Sequence, residues 1–126
     1  MFKQILTPQD ANKRLPLIRT IVKDILEKGR ALRALIDAVD SQSIPQDALT
    51  FEQEINDLVG ELEALGCYYK DWRFEVGMVD FPSVINGQNV FLCWRADEDH
   101  VLWFHPVDGS YEDRQPIPEH LLIQKV

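Results

Sequence analysis

The chain has 126 residues, a formal net charge of −8 and a sequence pI of about 4.7. That length fits one domain that can bury its core without disulfides or metals. The acidic balance argues against general nucleic-acid binding, because an acidic surface repels a phosphate backbone.

No stretch approaches the roughly 20 apolar residues of a membrane span. The opening MFKQILTPQD lacks the apolar run of a signal peptide. The expected compartment is therefore the cytoplasm, with Cys67 and Cys93 as free thiols. Charge is unevenly spread. Residues 1–40 carry eight Lys/Arg against five Asp/Glu, and the remainder carries five against sixteen. Halves of opposite sign are expected to face each other.

The first element is a long helix. Thr7 suits the N-cap, Pro8 the first helical position and Asp10 the first turn. Ala11, Leu15, Ile18, Val22, Ile25, Gly29, Leu32, Ile36 and Val39 repeat at alternating spacings of four and three, a coiled-coil-like seam. Ile21, Leu26 and Leu35 widen it. Pro16 removes one hydrogen bond inside this helix and predicts a kink. Gly29 on the seam leaves room for another backbone to approach.

SQSIPQDA reads as a loop turning near Pro45. Phe51, Ile55, Leu58, Leu62 and Leu65 then define a second helix, with Gly66 as its left-handed C-cap. Flanking charges are basic on the first helix (Arg14, Arg19, Lys28, Arg33) and acidic on the second (Glu52, Glu54, Glu61). An antiparallel hairpin places Lys28 near Glu61. At about 32 residues the first helix spans roughly 48 Å, and at about 20 the second spans roughly 30 Å. Leu15, Leu17, Ile18 and Ile21 then need cover from the C-terminal half or from a second copy of the chain.

From Cys67 the period changes to two, with aromatic and β-branched residues. Asn86-Gly87 fits a two-residue type I′ hairpin turn, and that turn sets Asp80 opposite Cys93 and Val79 opposite Trp94. Arg95 is then diagonal to Asp80 on one face and expected to pair with it. Pro82 donates no ladder bond, which suggests an edge or a bulge. A four-residue tip at Asp97–His100 sets Cys93 opposite Phe104 and Trp94 opposite Trp103. That register puts Cys93 and His105 on opposite faces, and a one-residue slip would make them neighbours. Both faces are apolar and need cover, the second from the tail RQPIPEHLLIQKV or another subunit.

The fold expectation is α+β: a long antiparallel helical hairpin over 7–66, packed with a small antiparallel β-sheet over 67–126, in one domain spanning 1–126. No phosphate loop, nucleophile elbow or zinc-protease helix is present. Cys93 with His105 is the alternative metal pair, although no short CxxC or HxxxH spacing supports it. No cofactor is otherwise expected.

The order Ala11-Asn12, Leu15-Pro16-Leu17, Leu65-Gly66, Val79 to Pro82, Leu92 to Arg95, Glu98, His105, Gly109 and Arg114 resembles the bacterial family of domain of unknown function 2203 over nearly the whole chain. This chain has Ala96-Asp97 where the family carries Gly after the LCWR-type motif. The resemblance implies a compact cytoplasmic bacterial protein and brings no activity. It draws together Asp80, Cys93, Arg95, Glu98, His105 and Arg114 as either a buried polar network or a pocket lining. The leading functional expectation is a non-catalytic module that self-associates or contacts another protein, with no nucleic acid and no membrane. The alternative is a small enzyme or ligand-binding protein that uses this cluster, with or without a metal ion.

Overall fold

The computed structural model describes residues 4–38 and 46–122. The expected turn near Pro45 and the seam residue Val39 lie outside that range. Helix α1 spans Pro8–Asp37. A reciprocal capping box starts it: Asp10 N–H donates to Thr7 Oγ1 at 3.1 Å and Thr7 N–H to Asp10 Oδ2 at 3.2 Å. Pro16 lies inside this helical run. Helix α2 spans Gln46–Ala64. It closes with Gly66 at φ +90, Gly66 N–H donating to Glu63 O and Cys67 N–H to Leu62 O, the paired bonds of a Schellman end. Among the described residues, no helix is long and apolar enough to cross a membrane.

The helices pair, but in a different register from the one the heptads suggest. Lys28 Nζ meets Glu54 Oε2 at 2.8 Å, one heptad away from Glu61. The cause lies at the end of α2. Arg14 Nη1 donates to Leu65 O and to Gln4 Oε1, each at 2.7 Å. Carbonyls at a helix C-terminus lack intrahelical donors and attract a cation. Tying that end to Arg14 brings Glu54 opposite Lys28. The other arginines of α1 also seek carbonyls. Arg19 donates to Asp99 O, Arg33 to Arg73 O, and Arg30 to Phe74 O and Glu75 O. The opposite-sign halves meet largely as guanidinium on loop backbone.

Among the described residues, five strands form one antiparallel sheet in chain order: β1 (Tyr68–Tyr69), β2 (Met78–Ile85), β3 (Gln88–Arg95), β4 (Trp103–Pro106) and β5 (Gln115–Pro116). Asn86 and Gly87 have φ +52 and +79, the two positive values a type I′ turn requires, and Asp80 pairs with Cys93 as that turn dictates. Pro82 lies in β2 beyond the short reach of β1, which pairs only with Val79 and Asp80, so β2 is locally an edge there. Its carbonyl accepts from Leu6 N–H at 2.9 Å, so its nitrogen side points away from β3 and no ladder bond is lost.

The inner face of the sheet carries Val79, Phe81, Leu92 and Trp94, all fully buried in one core with Leu15, Ile18, Val22 and Ile25 of α1. Leu15, Ile18 and Ile21 are thus covered by this chain's own elements, and Leu17 is exposed. Gly29 admits the Phe74 ring: a Cβ there would lie 2.2 Å from Phe74 Cδ1. Beyond Arg114, the described part of the tail turns toward the helices. Ile117 is buried, and Leu121 and Leu122 of α3 (Glu119–Leu122) pack on the core.

The β3–β4 register differs by one residue from the four-residue-tip expectation. Cys93 pairs with Trp103, Leu92 with Phe104 and Phe91 with His105. The reason is Asn12 of α1. Its Oδ1 accepts from Val101 N–H at 2.8 Å and its Nδ2 donates to Val101 O at 3.1 Å. Val101 is fully buried and its backbone is spent on that amide, so β4 starts later, at Trp103. A one-residue slip turns every side chain of a strand over. His105 therefore joins the face of Cys93 and Asp80, and Phe104 leaves it.

Candidate functional site

The outer face of the sheet presents one polar residue from each of three adjacent strands: Asp80 from β2, Cys93 from β3 and His105 from β4. All three are buried, and their ligand-type atoms lie within 4.8 Å of one another. The hydrogen bonds around His105 restrict its chemistry. Nδ1 is 2.8 Å from Pro106 O. A carbonyl only accepts, so Nδ1 carries the proton. Nε2 is 3.2 Å from Asp80 Oδ2. In the neutral ring Nε2 is an acceptor facing a second acceptor, and something positive must sit between them: a shared proton or a cation.

Burial pushes the Asp80 acid above its ordinary value, opposed by His105. Burial, reinforced by the Asp80 charge, pushes the Cys93 thiol up to about 12. A thiol held protonated in this way is a poor nucleophile.

The triad forms the floor of a cavity of about 210 Å³, whose walls include Lys70, Met78, Ser110 and Tyr111. A neighbouring hollow shares Met78 and Tyr111 and is lined by Asp71, Glu75, Val76 and Arg95. A family model described as an uncharacterized conserved protein (DUF2203) matches residues 4–117. The chain belongs to the DUF2203 family. No curated protein and no solved structure matches it.

In this DUF2203 chain five of the six residues singled out from sequence fall into two groups, and Arg95 stands apart from both. Asp80, Cys93 and His105 converge at the cavity floor. Glu98 and Arg114 form a separate, largely enclosed ion pair, with Arg114 Nη2 at 2.7 and 2.8 Å from the two Glu98 oxygens. Glu98 Oε1 also accepts from Arg95 N–H, and Glu98 O accepts from Trp94 Nε1. Arg114 is stacked between the Trp103 and Tyr111 rings, 5.1 and 4.7 Å from their centroids. This unit closes the β3–β4 tip and braces the cavity wall.

Arg95 does not pair with Asp80. His105, brought over by the register slip, takes that carboxylate. Arg95 sits at the end of β3, where Nη2 meets Asp97 at 3.0 Å and Nη1 donates to the Tyr111 hydroxyl. Sequence reasoning passed over Lys70 and Tyr111. Tyr111 lies in DGSYEDR, where a single 3-10 turn at Tyr111–Asp113 swings its ring onto the cavity.

Proposed function

We propose that this DUF2203 protein binds a divalent transition-metal ion of the zinc type through Asp80, Cys93 and His105, and presents one exchangeable position on the ion to a small ligand in the cavity. The observation that carries the reading is His105 Nε2 facing Asp80 Oδ2 at 3.2 Å while Nδ1 is committed to a backbone carbonyl. That is the arrangement of a metal-ligating imidazole, whose second nitrogen is fixed by a carbonyl partner. Thiolate, imidazole and carboxylate together suit zinc, and three protein donors with a cavity beyond them correspond to an open centre, not a closed structural one. A bound dication also favours the deprotonated thiol that burial alone disfavours. Self-association is expected from an uncovered apolar stripe on the first helix and from a sheet apolar on both faces, and the first of these supports is weaker with Leu15, Ile18 and Ile21 inside this chain's own core.

Cobalt(II) titration of the purified protein tests the proposal. One equivalent is expected to bind, with a thiolate-to-metal absorption band in the near ultraviolet that Cys93→Ser abolishes. Asp80→Asn should lower the affinity at least a hundredfold while remaining folded, because the amide can donate to Nε2. Cobalt uptake by Asp80→Asn equal to wild type, or no band in the wild type, overturns the proposal.

A further inference from the structure

With a dication held by Asp80 and Cys93, the two ligand charges and the ion cancel. The remaining walls of the cavity then determine what it attracts. Among those that line it, Met78, Gly109, Ser110 and Tyr111 are neutral and Lys70 is positive. The electrostatic pull of Lys70 reaches the Asp80 carboxyl. Tyr111 supplies a second feature. Its hydroxyl oxygen accepts from Arg95, and the Arg114 guanidinium lies against the same ring. A guanidinium has no acceptor atom, so the phenolic proton remains free to be donated. The cavity, at about 210 Å³, is below the roughly 300–1,000 Å³ that holds a drug-sized ligand. The part of a ligand that it can enclose is therefore small.

On the reading that the triad binds a metal ion, we infer that the ligand at the open position is a small oxyanion group, a carboxylate or a phosphate, coordinated to the ion, with Lys70 as its charge partner and Tyr111 as its hydrogen-bond donor. A net positive rim over a neutral metal core favours an anion over a neutral or cationic ligand. An oxygen anion also satisfies the ion, the ammonium and the phenol together.

The test uses the full-length protein loaded with one equivalent of cobalt(II), titrated in separate arms with inorganic phosphate, acetate and neutral acetamide. The visible cobalt bands should shift with one or both anions and not with acetamide. The arm with the tighter binding identifies the oxyanion. Lys70→Met should bind that anion at least tenfold more weakly and Tyr111→Phe severalfold more weakly, both with unchanged cobalt stoichiometry. Equal anion affinity in Lys70→Met and wild type overturns the inference, as do bands that ignore both anions. In either case the metal reading stands as long as one equivalent of cobalt is bound with its Cys93-dependent thiolate band. Failure to take up cobalt at all overturns both.

Discussion

The contrast between Glu98 and Asp97 shows how burial decides what a charge is worth. The Arg114 and Glu98 side chains are only 10% and 21% exposed, and Glu98 also receives the Arg95 backbone. Deleting one partner of an enclosed pair leaves the other charge desolvated and unpaired, at a cost of about 3 kcal/mol. Asp97 meets Arg95 at a similar distance but is 57% exposed. Solvent already screens that pair, so its loss costs about 0–1 kcal/mol. Urea denaturation should therefore show Glu98→Ala strongly destabilised and Asp97→Ala close to wild type. Equal midpoints for the two variants would contradict the assignment of Glu98 as the brace of the tip.

At the scale of elements, the segment between β1 and β2 is held from outside by Arg30 and Arg33 and from within by one carboxylate. Asp71 Oδ2 accepts from the N–H groups of Glu75, Val76 and Gly77 at 2.8–2.9 Å. Burial opposes its ionisation, but those backbone donors outweigh it and hold the acid below its ordinary value of 3.8. A depressed folded value means that the stabilisation is fully present above pH 3.8 and is lost as pH falls through the lower folded value. Asp71→Asn should remove this part of the acid sensitivity: its melting temperature falls relative to wild type near neutrality, and the gap narrows toward about pH 2. A gap independent of pH would contradict this.

Local signals made other elements legible. Thr7 and Asp10, Gly66, and Asn86-Gly87 each act within a few residues, and each formed as their chemistry dictates. The helix pairing and the β3–β4 register were not legible, because residues distant in sequence set them: Arg14 fastened to the end of α2, and Asn12 fastened to Val101, 89 positions away. The site followed the register. Its residue types and the shared face of Asp80 and Cys93 could be read from the chain, but the arrival of His105 on that face could not.

For the molecule as a whole, the metal reading has a consequence for stability. The three donors lie at positions 80, 93 and 105, on three strands whose inner faces anchor the sheet to α1. In the unfolded chain the donors are separated by loops of a dozen residues or so and offer no short chelating pair, so an ion binds the folded form far better. Ligation of the folded form alone stabilises it by about 2.7 kcal/mol at a free-ion concentration a hundredfold above Kd. For a chain of this length that corresponds to a rise in melting temperature on the order of 10 °C. The rise should be large for zinc and small for magnesium, since a thiolate and an imidazole suit the softer ion. His105→Ala should melt at the same temperature with and without zinc, whatever its own stability, because the comparison is made within one variant. A full zinc-dependent rise in His105→Ala would mean that the ion stabilises the fold from some other place.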